Sequence, residues 1–137
     1  MDPVTTGLLL PYLLYAWFIW HFLKPIRREA STCKLSEDVL MGRRLLPAEY
    51  PLDIASVVDL TCEFFAPKPV RERFEYLCVP VRDAGTPSIE TLKSALDRFD
   101  RIPRPVYVHC AEGHGRTATS LAAFMLKSGA AASELDR

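Results

Sequence analysis

A chain of 137 residues with 17 basic and 17 acidic side chains is long enough for one small domain with a single core, and its balanced charge gives no general attraction to nucleic acid. Its four cysteines, Cys33, Cys62, Cys78 and Cys110, lack motif spacing, which excludes a disulfide framework and suits a reducing compartment. An apolar content of 49% is high for this length, and the excess lies at the N-terminal end.

From Pro3 to Leu23 the sequence holds no Asp, Glu, Lys or Arg, and the run from Leu8 to Trp20 is almost continuously aliphatic or aromatic. A helix needs about 20 such residues to cross the hydrocarbon core of a bilayer, so the segment predicts a single membrane-spanning anchor with a kink at Pro11. Trp17, Trp20 and His21 would sit near one interface, and Lys24, Arg27 and Arg28 follow at once. Basic residues are retained on the cytoplasmic side, so the rest of the chain is expected to face the cytoplasm. Neither the basic start and small-residue cleavage site of a secretory signal nor the arginine-rich pattern of an organellar presequence is present. Residues 1–28 are therefore read as an anchor with its basic flank, 29–34 as a linker, and 35–137 as the functional domain.

Within that domain, Ser56 to Leu60 and Tyr76 to Val79 read as strands, with Pro67 and Pro69 breaking the chain between them. Ser88 is a candidate N-cap for a helix in which Ile89, Leu92, Leu96 and Phe99 recur at helical spacing and should face the core. After Pro103 and Pro105, Val106 to Val108 reads as a strand. Arg116 to Lys127 reads as a helix with Leu121, Phe124 and Met125 inward and Gly129 as its C-terminal cap. Strands alternating with helices give an α/β fold class, a central and largely parallel sheet flanked by helices.

The segment carrying chemistry is His109-Cys110-Ala111-Glu112-Gly113-His114-Gly115-Arg116-Thr117. A strand that delivers a cysteine into a glycine-bearing loop, with a helix starting at the loop's end, makes a cradle of backbone N–H groups for an anion. Thiolate is the reactive form of cysteine, and amide dipoles, a helix N-terminus and Arg116 would all favour it. Gly113 and Gly115 would supply the backbone freedom that Ala111 to Arg116 need to wrap a phosphate group. Arg116 offers a planar fork for two phosphate oxygens, His109 supports the cysteine from the strand, and Thr117 could donate its hydroxyl to the sulfur. A zinc site built from His109, Cys110 and His114 lacks a second cysteine at two-residue spacing, so neither metal nor cofactor is expected. A phosphate monoester expels an alkoxide or phenoxide, so a carboxylic acid that protonates the leaving oxygen and then activates water would complete the chemistry. Asp83, on the turn-forming Asp-Ala-Gly-Thr-Pro stretch 27 positions before Cys110, is a candidate for it. The same stretch is also plain turn chemistry.

His-Cys-x5-Arg-Thr resembles the signature of the cysteine-dependent protein tyrosine phosphatase superfamily, and the surroundings resemble its dual-specificity branch. Met41-Gly42-Arg43, Val57-Val58-Asp59-Leu60-Thr61 and Val79-Pro80-Val81-Arg82-Asp83 followed by Pro87-Ser88 extend the likeness, which covers residues 35–129. The resemblance implies a protein-tyrosine-phosphatase-like fold and hydrolysis of phosphomonoesters through a cysteinyl-phosphate. Cys110 would be the nucleophile, Asp83 the general acid, and Arg116 with the loop amides the phosphate clamp. It also implies Cys62 as a candidate redox partner of Cys110. Cys62 and Cys78 are otherwise read as small buried hydrophobes.

Only 20 residues follow Thr117, fewer than such domains usually carry, so one face of the sheet or of the last helix is expected to be uncovered. Two function classes stay open: a membrane-anchored phosphatase, and a weakly active or inactive membrane adaptor, or truncated product, that binds phosphorylated partners. Glu112 and His114 stand where lysine or arginine would suit a polyanionic lipid. That favours phosphorylated proteins, and a phospholipid with one phosphate monoester is the other substrate considered.

Overall fold

The computed structural model describes residues 3–23, 32–82 and 88–127. The elements run α1 (Pro3–Leu23), β1 (Thr32–Lys34), β2 (Val39–Arg43), β3 (Ser56–Thr61), α2 (Lys68–Arg73), β4 (Glu75–Val81), α3 (Ile89–Phe99), β5 (Val106–Cys110) and α4 (Gly115–Lys127). The chain divides into two compact units, 1–30 and 31–137.

In the second unit, β3 and β5 are buried at every residue. Continuous apolar runs such as Val57-Val58 and Val106-Tyr107-Val108 suit strands covered on both faces, where strict alternation is not needed. These two strands pair in parallel, from Ser56 opposite Val106 to Asp59 opposite His109, and form the middle of a five-stranded sheet ordered β1-β2-β5-β3-β4. β2 and β4 join in parallel on the outer sides, and β1 is antiparallel to β2. The largely parallel sheet expected from the alternation of strands and helices is the one observed.

Side chains leave a strand alternately to its two faces, and this sheet builds two cores accordingly. Val106, Val108 and Cys110 share one face with Val58, Leu60, Val79, Phe99, Leu121 and Phe124, beneath α3 and α4. Phe99 and Phe124 stack there with ring centres 3.9 Å apart. Tyr107 points to the other face and packs with Leu45, Tyr50, Ile54, Val57, Val70 and Phe74. Cys110 and His109, adjacent in sequence, therefore belong to opposite sides of the sheet.

α3 starts as predicted, with the Ser88 hydroxyl accepting from Thr91 N at 3.2 Å, but its buried stripe is shifted. Ala95 and Phe99 are buried, Leu92 and Leu96 are half-buried, and Ile89 is 68% exposed. The chain between Pro67 and β4 is not merely broken: Pro69 lies in the first turn of α2, where a missing N–H costs nothing, and Val70 anchors that helix in the core. Cys62 and Cys78 are exposed and not buried as expected. Gly129 and the tail 128–137 lie outside the described residues.

The predicted membrane anchor is overturned. Among the described residues no helix is long and apolar enough to cross a membrane, α1 included. Its 21 residues contain Thr5, Thr6 and Gly7 in the first turns, Pro11 inside the helix, and Tyr12, Tyr15, Trp17, Trp20 and His21 beyond it, so its purely aliphatic runs are short. Counting the absence of charge as apolarity overestimated this segment. The single-pass placement with a cytoplasm-facing domain fails with it, and the basic residues Lys24, Arg27 and Arg28 used to orient it lie outside the described residues.

Candidate active site

β5 carries Cys110 to the carboxyl end of the sheet, where ligands of open α/β folds bind, and the chain turns through residues 111–114 into α4. Cys110 is 3% exposed, and its Sγ accepts a hydrogen bond from Gly113 N at 3.2 Å. That bond needs the backbone of Gly113 at φ 82°, in the left-handed region. The loop is fastened to the neighbouring strand: Arg44 N, just past β2, donates to Ala111 O at 3.2 Å. Gly113 lies so close to β2 that a Cβ there would stand 2.5 Å from the carbonyl carbon of Gly42 and 2.6 Å from Arg43 N. Gly115 differs from expectation, since a Cβ added to it meets nothing within 4 Å. One of the two glycines is required by geometry, and the other only opens α4.

Arg116 lies in the first turn of α4 and is buried with its partners. Nη1 and Nη2 donate to Glu63 Oε2 at 2.9 Å and Oε1 at 2.6 Å, and Nη1 also donates to Val81 O at 3.0 Å. Both side chains of this pair are 6% exposed. Burial pushes the Glu63 carboxyl up, but hydrogen bonds from Arg116 and the backbone outweigh it and hold the group below the ordinary carboxylate value.

Behind the loop, His109 is the centre of a buried polar cluster. Nδ1 lies 3.2 Å from Cys110 O, Nε2 lies 3.3 Å from the Tyr50 hydroxyl, and the Asp59 carboxylate stands 3.8 Å from Nδ1. Asp59 Oδ1 accepts from Thr61 N and Oγ1 at 2.8 and 2.6 Å, and Oδ2 accepts from the Tyr76 hydroxyl. Burial holds the His109 imidazole below its ordinary value against the pull of Asp59. A neutral ring with its proton on Nδ1 satisfies both contacts, donating to the Cys110 carbonyl and accepting from Tyr50. Burial and Asp59 push the Tyr50 and Tyr76 hydroxyls well up, which keeps both as donors.

The fold thus brings together Cys110, residues 111–115, Arg116 and, behind them, His109. Thr117 is fully buried one residue further along α4, and its Oγ1 has no hydrogen-bond partner among the described residues, so it is not bonded to the Cys110 sulfur. Asp83 lies outside the described residues. Glu63, Arg44, Asp59, Tyr50 and Tyr76 were absent from the sequence-based site. The available signal was positional: Glu63 falls just past the end of β3, and any strand parallel and adjacent to the cysteine strand must end at the same rim. Burial and the neighbouring Glu63 push the Cys62 thiol up, toward its protonated form.

A parallel sheet whose middle strand delivers a buried cysteine into a tight loop, with an arginine in the first turn of the next helix, defines a cysteine-dependent phosphatase of the protein tyrosine phosphatase type. The family described as "Polymorphic toxin system, DSP-PTPase phosphatase" matches residues 52–130, more than half of the chain, and the protein belongs to it. Among solved structures, Tk-PTP in its active form is 26% identical, with a TM-score of 0.63 over 72% of this chain and 74% of that one. A DUF442 protein from Shewanella putrefaciens CN-32 shares the fold at 17% identity, with a TM-score of 0.64 over 78% of this chain and 74% of that one. OH1 of Orf virus, described as a tyrosine phosphatase with triple substrate specificity, shares it at 16% identity, with a TM-score of 0.60 over 88% and 75% of the two chains. No curated protein matches the chain. As a member of a phosphatase family, the protein takes a phosphorylated substrate.

Proposed function

We propose that the protein hydrolyses phosphomonoesters through a cysteinyl-phosphate on Cys110, with phosphotyrosine, phosphoserine or phosphothreonine proteins as substrates. The observation that carries this reading is the Cys110 sulfur held under the Gly113 amide at 3.2 Å in a loop closed by the buried Arg116. The thiolate attacks phosphorus and the bond from phosphorus to the ester oxygen breaks. That oxygen takes a proton from Asp83, and the loop amides of residues 111–116 with Arg116 hold the charge that moves onto the phosphoryl oxygens. Water then attacks phosphorus, giving its proton to the Asp83 carboxylate, and the bond to sulfur breaks to release inorganic phosphate and the thiolate. Asp83 enters this scheme from its place in the sequence.

The test is turnover of an aryl phosphate by the full chain. Wild-type protein is expected to release phosphate, and Cys110→Ser to lose essentially all turnover while melting at a similar temperature. A folded wild type that binds phosphate without turnover would instead support the adaptor reading. A panel of phosphopeptides and phospholipids separates the substrates. Glu112 and His114 in the loop, in place of lysine or arginine, support the peptides, and preferential hydrolysis of a lipid monophosphate would reverse that preference.

Thr117 gives a second expectation. A fully buried hydroxyl without a partner costs about 1–3 kcal/mol, and such a cost is commonly kept at a working site. We infer that the hydroxyl, unbonded in the resting loop, turns to the sulfur only as it departs, so Thr117→Val is expected to melt at or above the wild-type temperature while phosphoenzyme accumulates. Rapid-quench kinetics read this as a burst, and an unchanged steady-state rate without a burst would remove Thr117 from the reaction.

A further inference from the structure

Three segments meet at the rim of the Cys110 loop, and two lie outside the nine-residue motif. Arg44 follows β2, bonded to the loop through its own amide. Its guanidinium is buried, donates from Nη2 to Phe65 O at 2.7 Å, and lies over the Phe64 ring at 4.7 Å from the ring centre. These contacts fasten the segment after β3 to the cradle. That segment presents Glu63, whose carboxylate meets the Arg116 guanidinium end on in two bonds of 2.6 and 2.9 Å. A planar cation that reaches a carbonyl with its edge and an aromatic ring with its face is matched in charge by lysine but not in shape.

We propose that Arg44 is a positioning residue for phosphate binding: it fastens residues 63–65 to the rim, and Glu63, so fastened, holds the Arg116 guanidinium ready for a phosphate group in the cradle. The proposal rests on the reading of the Cys110 loop as the phosphate site. Its physical basis is preorganisation. An arginine side chain loses rotamer freedom when it is fixed, and a phosphate that meets an already fixed fork need not offset that loss. Glu63 alone does not suffice, because a carboxylate on an unfastened segment would follow Arg116 instead of fixing it.

The sign of the effect separates positioning from charge. Removing a carboxylate from beside a dianion tightens binding on Coulomb grounds alone, whereas loss of positioning weakens it. The experiment is titration calorimetry of inorganic phosphate into the full chain. Arg44→Lys, which keeps the charge, is expected to bind about five- to tenfold more weakly, and Glu63→Ala about tenfold more weakly, the scale on which lost preorganisation acts. The double variant is expected to bind no more weakly than Glu63→Ala, since Arg44 acts through Glu63. With an aryl phosphate, KM should rise in step while kcat changes by less than about threefold, a split that a merely structural role would not produce.

Arg44→Lys binding phosphate like wild type, Glu63→Ala binding it more tightly, or losses that multiply in the double variant would each overturn the proposal. If Arg44→Lys fails to fold, Phe64→Leu carries the test by removing the stacked ring and keeping Arg44. It is expected to weaken phosphate about twofold to threefold, and unchanged binding overturns the proposal. Wild-type protein that binds no phosphate would overturn the reading of the site itself, which distinguishes that failure from these.

Discussion

Gly113→Ala is expected to lower the melting temperature by more than about 10 °C and turnover of an aryl phosphate by at least about a hundredfold. Two independent terms act at this position. An L-residue at φ 82° costs roughly 1–2 kcal/mol. The new methyl group would also stand 2.5 Å from the Gly42 carbonyl carbon and 2.6 Å from Arg43 N. Those atoms belong to backbone, not to the end of a flexible side chain, and β2 is held in place by its pairing with β5 from Val39 opposite Val106 to Arg43 opposite Cys110. Relief therefore requires the loop to lift away from β2, which takes the Gly113 amide off the Cys110 sulfur. Gly115→Ala is the control, with no atom within 4 Å of the added carbon and an expected change in stability within about 1 kcal/mol. Thermal melts of the two variants side by side check the contrast, and equal melting temperatures would refute it.

Arg116→Ala is expected to fail twice, in stability and in chemistry, and the two failures can be separated. Removing the guanidinium strands the Glu63 carboxylate, whose side chain is 6% exposed, and breaking a buried pair by deleting one partner typically costs about 3–5 kcal/mol. Turnover should fall by about a thousandfold or more, the scale of losing a charged clamp on a transferring phosphoryl group. Arg116→Ala with Glu63→Ala is expected to recover most of the stability and none of the turnover. Denaturant unfolding and aryl phosphate assays on the three variants test this, and recovered activity in the double variant would remove Arg116 from the clamp. Acid unfolding gives a further check on the pair. The Glu63 carboxyl is held below its ordinary value of 4.5 when folded, so its stabilisation is present above that value and is lost as pH falls through the folded one. Glu63→Ala should flatten that part of the pH profile.

How far the site was legible depended on how its residues are joined. Cys110 through Thr117 are covalent neighbours, and their spacing alone predicts a cysteine, a glycine at a strained position and an arginine at a helix start. The α3 cap at Ser88 was legible for the same reason, being a contact over three residues. Glu63, 53 positions before Arg116, was not, nor was Asp59, which reaches the His109 cluster from a separate strand. Nor could the pattern tell Gly113 from Gly115, because the difference lies in what stands behind each of them. The apolar run at residues 3–23 misled in the opposite way, since lack of charge was read as enough apolarity to span a bilayer.

The sequence by itself determined the strand and helix periodicities, the class of chemistry and the order of groups along one loop, because those rest on local spacing and covalent connection. Tertiary structure alone decided that β5 lies between β2 and β3, which sets Arg44 against the loop at Ala111 and Glu63 on Arg116, crowds Gly113 and leaves Gly115 open. Strand order is chosen by which apolar faces can be buried together over the whole domain, and no window of neighbouring residues contains that sum.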